Sequence, residues 1–293
     1  MTILVGVSPD ESGADAIALA AVLGELTGES LTLAHIHPPT IDYPSIGNVD
    51  AEWEAFLRER ALATLDAARA QLTGDWGLTS VEEVIYAHSS VSRGLLHVAE
   101  EIEATFIVIG PGPGGRDGHL SLGSTAHSLL HGGGWGVALA PEGYRETAPD
   151  ALDRLVVGFR SGTNGDRVAK WAQRVAARNH IPVELFTAII RATGIVGARL
   201  GRDPERAVMQ ALREQGEEEQ RLTIQKLGEG ILGFVAQGDT AAQAMGGFPW
   251  RNGDLFVLGS SSFGSFRKVF LGDTSLKLLR AATVPALVLP REE

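Results

Sequence analysis

The sequence predicts an α/β protein made of two tandem domains, each a five-stranded parallel sheet with helices on both faces. The chain has 293 residues, whereas single domains cluster near ~100–150 residues. The same order of short apolar runs and helical stretches occurs twice, and continuous apolar strands alternating with helices are typical of a parallel sheet covered on both faces. We therefore expect domains at 1–145 and 152–293, joined near residues 143–152.

The internal repeat is clearest where each half ends. Three pairs of segments share one offset of 149 residues (259 − 110, 272 − 123 and 290 − 141): Phe106–Gly110 with Leu255–Gly259, Leu122–Gly123 with Leu271–Gly272, and Val137–Pro141 with Ala286–Pro290. The openings also match, since Ile3–Val7 resembles Leu155–Phe159. Self-similarity of this kind indicates two copies of one structural unit.

Periodicity places the same elements in both halves. In the first half we expect strands near 3–7, 30–36, 82–87, 105–109 and 136–140, and helices near 12–27, 51–72, 91–103 and 124–131. In the second half we expect strands near 154–159, 183–189, 231–236, 254–258 and 285–289, and helices near 164–178, 205–227, 239–246 and 273–282.

Composition excludes several classes of function. The chain has no cysteine, which excludes thiol nucleophiles and thiolate metal sites. The net charge of −11 divides into −14 through Ala148 (20 acids, 6 bases) and +3 afterwards (16 acids, 19 bases), so nucleic-acid binding by the first half is disfavoured. No apolar run has the ~20 residues of a membrane span, and no basic leader precedes the first strand. We expect a cytoplasmic protein.

The most specific chemical signal follows the fourth strand of the first half. Ligands of open parallel sheets bind beyond the carboxyl ends of the strands, where the winding reverses. Five glycines lie between Gly110 and Gly118, and Gly123-Ser124-Thr125 then begins a helix. Backbone amides and two hydroxyls at a helix N-terminus favour phosphate. The alternative is a glycine-rich turn in which Ser124 caps its helix.

This loop resembles that of the universal stress protein family, whose pattern is Gly-x2-Gly-x9-Gly-Ser/Thr, and the resemblance spans nearly the whole chain twice. It implies Rossmann-like (adenine nucleotide alpha hydrolase-like) domains that bind ATP, with Mg²⁺ as a possible companion. The family pattern has aspartate after the first strand, where this chain has Ser8, and glycine at Pro113, which has no N–H. The resemblance implies these nucleotide-binding residues: Ser8, Ile36, Gly110, Gly112, Gly114, Gly123, Ser124 and Thr125.

The second half departs further from the family pattern. Ser262 replaces the second glycine, Asp273 replaces the phosphate-contacting hydroxyl, and Arg160 stands where the family has aspartate. A carboxylate at a helix start satisfies the amides that a phosphate would use and repels the phosphate. We expect the second half to be a degenerate copy that forms an intramolecular pseudo-dimer with the first. Family members pair through their last strands, which here are Val137–Ala140 and Ala286–Leu289.

The resemblance implies a regulatory or sensor protein of the stress response. We expect no catalytic residue and no metal ligand, because neither Gly-x-Ser-x-Gly nor Gly-x4-Gly-Lys-Ser/Thr occurs. His35 and His37 alternate along a strand end and are interpreted as structural rather than metal-binding. Ser12 with Asp15 is interpreted as a capping box. Two alternatives stay open, a structural or interaction protein that binds no nucleotide and a weak ATPase, and a homodimer is possible.

Overall fold

The computed structural model describes residues 1–39, 49–72, 80–132, 134–191, 202–228, 230–260 and 273–290. It divides into two compact units, a first unit of residues 1–151 and a second unit of residues 152–293. Each unit is an α/β structure with a five-stranded parallel sheet, which confirms the predicted fold class.

The first unit alternates strands and helices in the predicted order. Its strands are β1 Thr2–Gly6, β2 Ser30–His37, β3 Val81–Ala87, β4 Phe106–Ile109 and β5 Gly136–Leu139. Its helices are α1 Glu11–Thr27, α2 Val49–Ala70, α3 Val91–Glu101, α4 Ser124–Gly132 and the one-turn α5 Tyr144–Thr147.

The sheet of the first unit has the order β3-β2-β1-β4-β5, with every pair parallel. Helices α1 and α2 contact each other, as do α3 and α4, which gives two helical layers with the sheet between them. Both faces of β1 and β4 are therefore covered, and this explains their unbroken apolar sequences. The winding reverses between β1 and β4, where such sheets bind ligands.

Helix α1 is the most deeply buried helix of the site region. Its residues from Ala14 to Leu26 are mostly alanine and leucine and lie almost entirely out of solvent, so the helix packs along the sheet over its whole length. It ends at Gly28, which has φ 71° and donates its N–H to the Gly24 carbonyl at 2.8 Å. This left-handed C-cap turns the chain sharply into β2.

The second unit repeats this arrangement. Its strands are β6 Arg154–Gly158, β7 Val183–Ile190, β8 Ile231–Gly238, β9 Asp254–Gly259 and β10 Ala286–Leu289. Its helices are α6 Thr163–Asn179, α7 Arg202–Leu227, α8 Ala241–Gly246 and α9 Asp273–Ala281. The sheet order is β10-β9-β6-β7-β8, again all parallel. Helices α6 and α7 contact each other, and so do α8 and α9.

A buried ion cluster fixes one end of the second sheet. Arg154 is 4% exposed and donates through Nε and Nη2 to the two carboxylate oxygens of Asp254, its register partner, at 2.8 and 2.6 Å. Its Nη1 donates to Glu184 at 2.5 Å, and the Phe248 ring lies 4.9 Å from the guanidinium carbon. Buried charges are tolerated when they are paired and hydrogen-bonded in this way.

The segment expected to be a plain linker contains α5, which is tied to α1. Both carboxylate oxygens of the buried Asp15 accept backbone hydrogen bonds, from Gly143 and Arg145, at 2.9 Å each. The capping-box interpretation of Ser12 with Asp15 is therefore wrong. Asp10 stands at the N-cap position of α1, and the Asp15 carboxylate accepts hydrogen bonds from amides at the start of α5. A contact across 128 residues leaves no local signal in the sequence.

Candidate functional site

A crevice of about 320 Å³ opens in the first unit at the carboxyl ends of β1, β2 and β4. Its walls come from the turn between β1 and α1, the end of β2, the first turn of α3, the loop after β4 and the first turn of α4. The crevice therefore lies at the point where the sheet winding reverses, the position that the topology favours for a ligand.

The structure brings seven of the eight predicted site residues to this crevice. Gly114 is not among the lining residues. It lies in a turn with φ 74°, and a Cβ built on it would meet no atom within 4 Å. Its neighbour Pro113 lines the crevice instead. The seven that line it are Ser8, Ile36, Gly110, Gly112, Gly123, Ser124 and Thr125.

Close packing explains two glycines of the loop. A Cβ at Gly110 would lie 1.8 Å from the backbone oxygen of Ser12, in the first turn of α1. A Cβ at Gly112 would lie 2.4 Å from the nitrogen of Gly123, directly before α4. A side chain at either position would push the neighbouring backbone away. Glycine at both positions therefore lets the loop pack directly against the starts of α1 and α4.

Fewer loop amides are available to a ligand than the sequence indicates. The N–H of Gly112 donates to the Ser121 carbonyl at 2.8 Å, and the N–H of Gly118 donates to the Glu142 carbonyl at 2.9 Å. Pro113 has no N–H. The anion-binding capacity of this region therefore depends on the start of α4, where the first amides of a helix have no intrahelical acceptor.

A hydrogen-bonded triad of polar side chains forms one side of the crevice. The Ser8 hydroxyl donates to Asp10 Oδ1, the Ser12 hydroxyl donates to the same oxygen at 2.6 Å, and the two hydroxyl oxygens lie 2.9 Å apart. Partial burial alone would raise the pKa of Asp10, but hydrogen bonds from Ser12, Ser8 and the amides of Gly13 and Ser12 outweigh it and lower the pKa. Asp10 is thus an ionised carboxylate at neutral pH.

A second part of the crevice lining is apolar. Ile36 from β2, Val91 and Leu95 from α3 and Ile109 from β4 form it. Gly94 permits this packing, because a Cβ there would lie 2.7 Å from the Ile36 side chain. The site therefore combines one polar wall, one apolar wall and a helix N-terminus. Sequence reasoning missed Asp10 and Ser12 as lining residues because it assigned Ser12 to the helix cap.

The two strand histidines have separate backbone partners. His35 Nδ1 lies 3.0 Å from the Val7 carbonyl oxygen, and His37 Nδ1 lies 2.8 Å from that of Pro38. Each imidazole thus has its own backbone carbonyl, which for His35 lies 28 positions away in the sequence. In the described part of the chain no three His, Asp or Glu side chains cluster in a way that could hold a metal ion.

The corresponding region of the second unit is described only in part, because residues 261–272 lie outside the described residues and with them the predicted departure at Ser262. Arg160 follows the first strand of this unit and is exposed. The Asn164 side chain donates to the Ser260 carbonyl, directly beyond Gly259. Asp273, at the start of α9, accepts a hydrogen bond from Lys277 at 2.6 Å.

Comparison with known proteins identifies the family. The model of the universal stress protein family matches residues 1–141 and again residues 151–290. The chain belongs to this family. It is the tandem type, with two universal stress domains in one chain, as the sequence predicted. Universal stress proteins of Mycobacterium bovis and Mycobacterium tuberculosis are each 36% identical to it over 298 residues, which covers 99% of this chain and 100% of theirs.

Solved universal stress proteins share the fold of the whole chain. A universal stress protein from Archaeoglobus fulgidus superposes with a TM-score of 0.70 at 16% identity, covering 99% of this chain and 98% of that one. A putative universal stress protein from Pseudomonas aeruginosa gives a TM-score of 0.60 at 13% identity, with 98% and 92% covered. At these identities the likeness concerns the fold. None of the described helices is long and apolar enough to cross a membrane.

Proposed function

We propose that the first universal stress domain binds ATP, accompanied by Mg²⁺, and that the protein acts as a nucleotide-dependent regulator or sensor in the stress response. The observation that carries the proposal is the crevice of about 320 Å³ that ends at the start of α4, where Gly123, Ser124 and Thr125 line it. Small-molecule sites typically measure ~300–1,000 Å³. A helix N-terminus with two hydroxyls supplies donors for phosphate oxygens.

The walls of the crevice fit the parts of a nucleotide. The apolar wall of Ile36, Val91, Leu95 and Ile109 suits a base, and the polar wall with Asp10 suits hydroxyl groups. Among the described residues that line the crevice, Asp10 is the only Asp, Glu, Lys or Arg. These residues offer a triphosphate no Lys or Arg, so a bound Mg²⁺ would supply the neutralising charge, held mainly by phosphate oxygens as is usual for this ion.

The second universal stress domain is proposed to be a degenerate copy. Arg160 stands at the place of Ser8, and Asp273 carries a negative charge at the start of the helix where Ser124 begins α4. The charge of Asp273 acts against a bound triphosphate. Arg160 removes the contact that the aspartate of the family pattern makes to adenosine, although its own charge attracts anions. The intramolecular pairing of the two domains, which rests on the family resemblance, belongs to the same proposal.

A second candidate is a structural or interaction protein that binds no nucleotide. It is favoured by the loss of three amides from the loop. Pro113 has no N–H, and the amides of Gly112 and Gly118 donate to the carbonyls of Ser121 and Glu142. This candidate predicts that the purified chain carries no nucleotide and does not bind one. Direct binding measurements therefore decide between the two candidates.

The test is isothermal titration calorimetry of the full chain with ATP and Mg²⁺, together with mass spectrometry of the material that copurifies with it. We expect saturable binding to the wild type and a loss of at least about tenfold in affinity for Gly123→Asp, because the new carboxylate stands before the helix amides. Gly134→Asp is the matched control, since a Cβ there meets nothing within 4 Å and the residue does not line the crevice. No binding by the wild type at millimolar ATP would overturn the proposal.

A further inference from the structure

Strands β3 and β8, each at an edge of the sheet of its own unit, differ in how they are protected. Strand β3 ends the first sheet and carries Glu82 and Glu83, of which Glu83 is paired with Arg69 at 2.8 Å. Strand β8 ends the second sheet, and none of its eight residues is charged. Charged side chains are the common protection of a sheet edge against pairing with another strand. By this criterion β3 is protected and β8 is open.

The open edge of β8 exposes apolar surface as well as backbone. Leu232 is 61% exposed, the largest exposed fraction among the large apolar side chains of the described residues apart from Met1. Leu232 lies on the same face of the sheet as Phe234, which packs against Phe248, and Gly238, which packs against α8. Helix α8 has only six residues, and within the described part of the chain it does not cover Leu232.

The backbone of β8 presents a symmetrical set of hydrogen-bonding groups. On the side that faces β7, the Gly230 carbonyl accepts a hydrogen bond from the N–H of Val183, and the Gly238 carbonyl accepts one from the N–H of Arg191. Even-numbered residues therefore bond to β7, and the odd-numbered residues point their N–H and C=O groups outward. These are Ile231, Gly233, Val235 and Gln237, placed evenly on either side of Phe234.

We propose that β8 pairs with β8 of a second copy of this chain, antiparallel and about a two-fold axis at Phe234. Each outward residue then meets a partner that also points outward, so all eight outward groups of each strand find a hydrogen bond. Closed two-fold dimers are the commonest assembly of soluble proteins. The two sheets become continuous across the new strand pair.

The side chains of β8 are complementary to their own two-fold image. Leu232 lies opposite Ala236 of the second copy, and Val235 lies opposite Gly233, so a large residue meets a small one in both cases. A groove runs between β8 and α7 beside this strand edge. It is lined by Gly233, Phe234 and Val235 of β8 and by Arg213, Glu217, Gln220, Arg221, Ile224 and Gln225 of α7. The two Phe234 rings meet at the axis, where aromatic cross-strand pairs are favourable. No like charges face each other within the strand.

This self-complementarity selects a second copy over an unrelated strand. An unrelated strand would satisfy the same backbone groups, but nothing in this chain would fix small residues opposite Leu232 and Val235 in such a strand. The proposal concerns the second unit alone and does not depend on nucleotide binding in the first.

Sedimentation velocity of the full chain from about 1 to about 100 μM is the first test, because a dimer of this kind dissociates on dilution. We expect Leu232→Lys to raise the dimer dissociation constant at least about tenfold, since it adds charge to the exposed edge. Leu62→Lys in α2 is the matched control, an exposed leucine of the first unit that is expected to change nothing.

Cysteine cross-linking is the second test, and the chain has no cysteine of its own. Under mild oxidation Phe234→Cys is expected to give a disulfide-linked dimer, because residues at a two-fold axis meet their own copy. Val84→Cys, at the middle of the other edge strand and equally half-buried, is expected to stay unlinked. A monomer throughout the concentration range, or a dimer that Leu232→Lys leaves intact and Phe234→Cys does not link, would overturn the proposal.

Discussion

Ser8, Asp10 and Ser12 show how the polar wall of the crevice is organised residue by residue. The family pattern has a carboxylate directly after the first strand, and this chain has the hydroxyl of Ser8 there. The carboxylate lies two positions later, at Asp10, and both serine hydroxyls donate to it. A negative charge is thus present in the crevice although its position in the sequence has changed. A comparison of sequence positions alone would indicate that the carboxylate is missing.

The lowered pKa of Asp10 makes a testable contribution to stability. A carboxylate whose pKa is lower in the folded state stabilises the protein above its unfolded pKa, here near 3.8, and this contribution is lost as the pH falls through the folded value. We expect Asp10→Asn to lower the free energy of unfolding at pH 7 by about 0.5 kcal/mol, because the side chain is largely exposed.

Urea denaturation of Asp10→Asn and the wild type at pH 7 and near pH 3 measures this contribution. The difference should shrink as the pH falls below 3.8, because the contribution of the carboxylate is lost as the pH passes through its lowered folded-state pKa. Asp66→Asn, an exposed aspartate of α2, is the control and should differ little from the wild type at either pH. An Asp10→Asn difference that is the same at both pH values would contradict the assignment.

Among the elements, α5 is the one whose existence depends on a single distant side chain. It has only four residues, Tyr144–Thr147, too few to be stable alone. The Asp15 carboxylate of α1 accepts the amides of Gly143 and Arg145 and so supplies the partners that a helix start requires. We expect Asp15→Ala to destabilise the first unit by about 2–3 kcal/mol, since it leaves two amides without an acceptor.

Thermal and chemical denaturation of Asp15→Ala test the role of this carboxylate. Asp66→Ala removes an exposed carboxylate from α2 and should change the stability by less than about 0.5 kcal/mol. Equal effects of the two substitutions would show that Asp15 does not anchor α5.

The elements that the sequence predicted well are those whose signal is local. Buried strands such as β1 and β4 are continuous apolar runs, and α1 ends at Thr27, where periodicity predicted its end. What could not be predicted depends on contacts between distant residues. The ion cluster of Arg154 joins residues that are 30 and 100 positions away, and the hydrogen bond that removes the Gly112 amide from the site goes to Ser121. Neither pairing follows from periodicity or spacing.

At the scale of the whole molecule, the two copies of the fold differ in their surface features. Each unit has its own buried core, with Ile3, Leu4 and Val5 in one and Leu155, Val156 and Val157 in the other. The crevice is in the first unit. The second unit has Arg160 at the place of Ser8, the ion cluster at Arg154 and the uncharged edge strand β8. Under the two proposals, one copy binds a small ligand and the other pairs with a second chain.

This division predicts where ATP acts on the intact chain. A ligand present at 100 times its dissociation constant stabilises the unit that binds it by about 2.7 kcal/mol. In hydrogen–deuterium exchange of the full chain with ATP and Mg²⁺, we expect protection in peptides that cover residues 6–13 and 108–127. Peptides from 154–190 and 230–260 should exchange as they do without ligand, and Gly123→Asp should abolish the protection. Protection centred on the second unit would contradict the assignment of the site to the first domain.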